Sequence, residues 1–319
     1  MGRGLMYDTI HITGLLVISV LSVITNYSFI KARLRTDESN QGSMFLAVSF
    51  AASNLFTSAV ANPLSLVADF EVFGTNSFAC VALNSPALIS LILSLIFLIA
   101  MTVERSISIF KPLRYPAIVT SSRMKKVTLL LWVYAVVCFN IPLLGANTIA
   151  DRQGRQLNFT ACNMAYVMMG KYVCFVTMGN AAPMMTVLLV LNIAIGVIVT
   201  KRNKEQALAK CVSASLDVLF NQKKAQRQRK LTIALLLVGQ LYIASHALLL
   251  TALTIDYRGY TTSTITTWVA PFELYVAGMM ASNLSTVIYP IILGYPSFYF
   301  RQNMRRILLC RSTSVAPEH

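Results

Sequence analysis

Long apolar stretches, each closed by a short polar segment, follow one another along the chain as far as Leu293. Seven of them are long enough for a helix to cross a hydrocarbon layer about 30 Å thick, which takes roughly 20 residues. They run from Thr9 to Ile30, Met44 to Ala68, Val81 to Ala100, Val127 to Leu144, Tyr172 to Val199, Leu231 to Ile255 and Thr267 to Leu293. The third is the least interrupted. The second and seventh hold more Ser, Thr and Asn, so they are expected to face the bundle interior and not lipid. The first lacks a small-residue cleavage site and reads as a retained span, not a leader. The pattern predicts an all-α integral membrane fold, a bundle of seven transmembrane helices plus a short amphipathic C-terminal helix. Its parts are a short outer terminus (1–8), the seven-span domain (9–294), and the amphipathic helix with a short tail (295–319).

Composition sharpens this picture. Hydrophobic residues make up 56% of the chain and charged residues 12%, against about 25% charged in an ordinary soluble domain. The net charge of +15 is concentrated in alternate connecting segments. Lys31, Arg33 and Arg35 follow the first span, and Lys111, Arg114, Arg123, Lys125 and Lys126 join the third to the fourth. Lys201, Arg202, Lys204 and the run from Lys223 to Lys230 join the fifth to the sixth, while Arg301, Arg305, Arg306 and Arg311 follow the seventh. The other segments hold only Arg3, Arg152, Arg155, Lys171 and Arg258. Cationic loops stay in the cytoplasm, which predicts a multi-pass plasma-membrane protein with an extracellular N-terminus and a basic face toward anionic lipid. Basic residues that flank spans do not form the single stripe of a nucleic-acid binder.

Several motifs stand out against that topology. Cys80 and Cys162 both fall on the oxidising outer side, where a disulfide across the bundle mouth competes with two unpaired thiols; the bridge is the favoured reading. Asn158 opens the sequon Asn158-Phe159-Thr160 on the same side and is the usable glycosylation site, since the other sequon matches lie in spans. Cys138 and Cys174 read as packing residues. At the inner end of the third span stand Glu104 and Arg105, read either as a snorkelling Arg beside a solvated Glu or as a functional pair. After the seventh span, Phe300, Met304, Ile307 and Leu308 recur at helical spacing among arginines over Ser297 to Leu309, the pattern of an interfacial helix. Cys310 at its end is either a palmitoylation site or a plain thiol. With three His, no metal-ligand cluster and no paired carboxylates on a common face, the chain does not read as an enzyme and calls for no cofactor or metal.

The pair Glu104-Arg105 followed by Pro112-Leu113-Arg114-Tyr115 resembles the rhodopsin-like (class A) family of G-protein-coupled receptors. The spacing from Cys80 to Arg105 fits that family, as do Asn26, Trp132, Pro183, and Pro290 followed by Phe300-Arg301. Within it, Pro112-Leu-Arg-Tyr115, Pro142-Leu-Leu-Gly145 and the short outer terminus are most similar to adenosine receptors. The resemblance implies a receptor that passes binding of a small extracellular ligand to heterotrimeric G proteins. Glu104, Arg105 and Pro290 would then be the coupling and switch residues. It implies an interior polar cluster of Asn26, Asn54, Ser94 and Ser285, with Thr286 nearby. The pocket residues it implies are Leu88, Leu91, Asn163, Met164, Leu249, Tyr275, Ser282 and Asn283. Leu248, Met279 and a rim residue, Glu273, extend that set.

Departures from the family pattern carry expectations of their own. Asn54 stands where a sodium-binding Asp is expected, so a neutral hydrogen-bonded cluster replaces an ion site. The sixth span has Ala244-Ser245-His246-Ala247 where an aromatic and a proline are expected, and His246 reads as an interhelical donor before a sensor or ligand contact. Leu293 and Leu191 replace two tyrosines of the activation contact. No acid lies between Asp217 and Asp256 to pair with Arg105, which predicts basal signalling unless Glu104 alone restrains it. Ala87, Leu88 and Leu91 offer no Asp to a protonated amine, and Asn283 and Ala252 stand where adenosine receptors carry His and Asn. A small neutral ligand fits best. The rival readings are a non-signalling decoy with a receptor fold and, less favoured, a seven-span transporter.

Overall fold

A computed structural model describes residues 2–35, 41–69, 77–145, 175–209, 216–261, 272–295 and 297–308, and every regular element among them is helical. Lipid offers the backbone no hydrogen bonds, so each crossing must satisfy its own, which a helix does. In chain order the helices are α1 (Gly2–Leu34), α2 (Gln41–Phe56), α3 (Asn62–Asp69), α4 (Ser77–Phe110) and α5 (Tyr115–Ile118). They continue with α6 (Ser121–Gly145), α7 (Ala182–Ala209), α8 (Leu216–Thr261), α9 (Phe272–Gly294) and α10 (Phe298–Leu308). A π-helical turn, Thr57–Ala61, joins α2 to α3, and another, Phe175–Ala181, leads into α7. Seven of the resulting helical segments are long and apolar enough to cross a membrane.

The helices outrun the apolar stretches that predict them. The third crossing was expected over 81–100 and its helix spans Ser77–Phe110; α8 begins fifteen residues before the expected Leu231. Hydropathy reports contact with lipid, whereas helical hydrogen bonding continues into the aqueous margin.

α4 is the central column, packed against α2, α3, α6, α7 and α8. It is 61% buried across its apolar window, against 11% for α6. The expectation that Ser, Thr and Asn mark the buried spans holds only in part: the second and seventh spans are well buried, but the apolar third exceeds both. Apolar side chains are as content in lipid as in protein, so packing and buried polar bonds decide which helix sits inside. Phe50, Leu93, Phe97, Phe139, Tyr242 and Tyr289 fill the core. Val20, Leu130, Val137, Val190 and Val197 lie exposed on the outside, as lipid-facing positions should. α8 and α9 approach closely at Gly278, where a Cβ would stand 2.9 Å from the Leu249 nitrogen.

For two prolines inside the spans a side chain replaces the missing donor. A proline gives no N–H to the carbonyl four residues back and its ring crowds it. For Pro86 that carbonyl is Ala82, and the Ser85 hydroxyl donates to it at 3.3 Å. For Pro290 it is Thr286, and the Asn26 amide donates to it from α1 at 3.0 Å. The two π turns each end two residues before a proline, Pro63 and Pro183. In the first, Asn62 N–H bonds to Thr57 O, a widened turn that takes up the misfit.

Candidate functional site

The Glu104–Arg105 end of α4 is a small buried charge network. Both side chains are nearly shut off from solvent, and Arg105 Nε lies 3.4 Å from Glu104 Oε2. α4 stops at Phe110, and the turn Lys111–Arg114 folds the chain back through the Tyr115 N–H bond to Lys111 O at 2.9 Å. That reversal points the Tyr115 hydroxyl at Glu104 Oε1, to which it donates. From α2, Ser43 donates to Glu104 Oε2 at 3.5 Å and accepts from Arg105 Nη2 at 3.3 Å. Thus both carboxylate oxygens are engaged, as a buried charge requires. The reading of Glu104 as a solvated acid is corrected here: Tyr115 covers it.

A cavity of about 30 Å³ opens beside this network, bounded by Arg33, Ser43, Glu104, Arg105, Met101, Leu231, Leu235 and Leu293 among others. α8 contributes only leucines to it. Its own helix and α2 both hold Arg105, and among the residues that bound the cavity α8 supplies no carboxylate.

A second, neutral layer ties α1, α2, α4 and α9 together. Ser22 bonds Thr286 Oγ1 at 2.8 Å, Ser58 donates to Ser22 at 2.6 Å, and Asn26 reaches Ser22 and Thr286. Ser94 donates to Asn54 Oδ1 at 3.0 Å and meets Ser53 at 3.3 Å. Asn26, Asn54 and Ser94 so belong to one layer. Ser285 does not bond Asn54: its hydroxyl bonds the Ser282 carbonyl at 2.5 Å, the usual habit of a helical serine. Thr286 likewise serves Ser22 and not Asn54.

A third group joins α8 to α9. The Nδ1 of His246 lies 3.0 Å from the Tyr242 carbonyl and its Nε2 lies 2.9 Å from Ser282 Oγ. A carbonyl can only accept, so Nδ1 carries a proton toward Tyr242, and Nε2 shares a hydrogen with the Ser282 hydroxyl. His246 is an interhelical bridge, stacked on Tyr242 at 3.8 Å between centroids. Tyr242 also donates to the Leu91 carbonyl of α4 at 2.9 Å, linking three spans. Sequence reasoning passed over Tyr242, although its place one turn before His246 was a usable signal. It also passed over Ser43 and over Asn62, which bridges Ser19 and Asn283 Oδ1 at 2.8 and 2.7 Å.

Several of the expected pocket residues are packed into the bundle. Asn283 and Leu249 are buried, Ser282 is taken by His246, and Leu88 and Leu91 pack against the core. Leu248 is exposed. Cys80 is half of a disulfide. Its expected partner Cys162, together with Asn158, Asn163, Met164 and Cys310 and the side chains of Tyr275 and Glu273, lies outside the described residues. Cys138 packs against the core as a thiol. Among the described residues no three His, Cys, Asp or Glu side chains gather as a metal group.

These networks hold helices against one another. The chain aligns over 95% of its length with human adenosine receptor A2a, covering 73% of that protein at 22% identity. It aligns over 96% with human adenosine receptor A2b, covering 92% of it at 23% identity. Dog adenosine receptor A2b is 24% identical across 94% of this chain and 90% of its own. The model of the seven-transmembrane receptor (rhodopsin) family matches residues 25–293, a stretch that contains the first and third networks and all of the second but Ser22. This is a family of receptors, not of enzymes, and the chain belongs to it.

Proposed function

We propose that this receptor transmits binding of a small, neutral or partly apolar extracellular ligand to heterotrimeric G proteins. In this reading its N-terminus is outside and the Glu104–Arg105 end faces the cytoplasm. The observation that carries the proposal is the clasp at that end: a buried arginine held by Glu104 and Ser43 beside a cavity that α8 lines with leucines. Such a clasp releases a strong hydrogen-bond donor into a cleft when the helices part, so two arrangements of the same end differ in what they offer a partner. In this reading the basic loops around it and the turn that carries Leu113, which is 95% exposed, supply the docking rim.

The relatives bear the name adenosine receptors. Here Asn283 and Ala252 replace the expected His and Asn, and Asn283 is committed to Asn62 and to the Met279 carbonyl. Those departures favour a ligand other than adenosine within the small-molecule class.

The test is a G-protein dissociation reporter in cells without added ligand, run for the chain and for Arg105→Ala at matched surface levels. The proposal expects a signal above vector that falls at least tenfold in the variant. No signal, with or without a broad small-molecule panel that includes adenosine, supports the decoy reading, which Leu191 and Leu293 in place of the two switch tyrosines favour.

A further inference from the structure

Along α7, Leu188, Asn192 and Ile195 form the buried stripe at spacings of four and three residues. Along α8, Leu235, Val238 and Tyr242 are buried, and Gly239 meets α7. Of these buried side chains all but one are apolar or bonded. Asn192 is 3% exposed, and neither its Nδ2 nor its Oδ1 has a hydrogen-bond partner among the described residues. It is pressed against Gly239 of α8, where an added Cβ would overlap the Asn192 amide. Gly239 therefore is the reason an asparagine fits at all.

A primary amide offers two donors and an acceptor with two lone pairs. Shut into an apolar seam with none of these used, it penalises the packed state by the cost of desolvating the whole group. The penalty disappears when the seam parts as an aqueous cleft open to the basic end, so that the amide meets water, and it persists if the amide is turned to lipid. A leucine at 192 would have similar bulk, would continue the stripe and would carry no penalty. The asparagine thus works against closure at a single point, in the seam between the two helices that run toward the basic end.

We propose that the Asn192–Gly239 contact is a built-in bias toward separation of α7 and α8, setting how far the resting receptor already populates its open form. Its consequence for signalling rests on the coupling function proposed above; the bias itself does not. It acts separately from the Glu104–Arg105 clasp, because it destabilises the closed form through the α7–α8 seam itself.

The experiment measures distances between spin labels on exposed positions near the inner ends of the two helices, Lys201→Cys and Gln226→Cys, in the full chain in neutral-lipid nanodiscs. The chain is expected to show a long-distance population that Asn192→Leu reduces about tenfold, the shift that relieving one unpartnered amide implies. The melting temperature should rise by about 2 °C or more. Gly239→Ala, whose methyl meets the amide, should shift the distances the other way. If that variant does not fold, the two Asn192→Leu readings decide alone. An unchanged distribution, or a lower melting temperature in Asn192→Leu, overturns the bias. Labels that move as stated while no G protein responds leave the bias standing and remove the coupling function.

Discussion

Asn26 gives its side-chain N–H to the backbone oxygen of Thr286, 3.0 Å away on another helix. That oxygen is the one Pro290 leaves without its helical donor, so the first span completes the hydrogen bonding of the seventh. Replacing Asn26 by Leu should cost about 1–3 kcal/mol, the price of a buried acceptor left unmet. The effect is specific to the proline. In a Pro290→Ala background the backbone N–H returns, and the same Asn26→Leu change should cost markedly less. Thermal unfolding of the four proteins of this cycle tests it; equal losses in both backgrounds would show that Asn26 acts only through Ser22.

The clasp on Arg105 makes a second prediction. Ser43→Ala removes the group that both donates to Glu104 and accepts from Arg105, and Tyr115→Phe removes the remaining hydroxyl on the carboxylate. Each loss of a bond to a charged group is worth about 1.5–3 kcal/mol. If the clasp favours the closed form, ligand-free signalling should rise about tenfold or more in either variant at matched surface level. Basal signals that stay level would mean the clasp is equally strong in both forms.

Sodium should not matter. The layer around Asn54 consists of amides and hydroxyls, with Asn54 Oδ1 already accepting from Ser94, and a bare cation there would have no counter-charge. Exchanging sodium for choline at constant ionic strength should leave melting temperature and basal signalling unchanged. Asn54→Asp should introduce a dependence. A clear sodium effect on the unaltered chain would defeat this account.

Leu113 projects almost wholly into solvent from the turn that sets Tyr115 in place. Leu113→Asp should leave the melting temperature within about 1 °C, because the side chain packs on nothing in the isolated protein. It should nonetheless weaken G-protein activation severalfold if this turn is part of the docking rim. A comparable loss in stability would instead assign Leu113 a structural role.

The bundle was legible because its cause is a one-dimensional signal: runs of about 20 apolar residues and lysines and arginines at alternate ends. Glu104, Arg105, Asn26, Asn54 and Ser94 were legible too, since the resemblance fixed their places. What escaped was pairwise. Ser43 is unremarkable in α2 until the fold sets it beside Arg105, and Tyr242 reads as one more apolar aromatic until its hydroxyl finds the Leu91 carbonyl. The resemblance sets Ser285 in the Asn54 layer, but a short helical hydroxyl is drawn to the carbonyl of its own preceding turn, and no sequence pattern announces which bond it will choose.

The two π turns before Pro63 and Pro183 have a geometric effect that reaches beyond the prolines. One extra residue in a turn of 3.6 swings every side chain on its far side by roughly 100° about the helix axis. Both turns lie in the half of the bundle away from Arg105, so they act like a clutch between two halves of one shaft. The azimuth of the residues beyond each turn on the second and fifth spans can be reset by a single insertion or deletion, while the Arg105 half keeps its registration with its neighbours. Under the coupling function proposed above, a lineage of such chains changes what it senses without rebuilding the end that meets its partner.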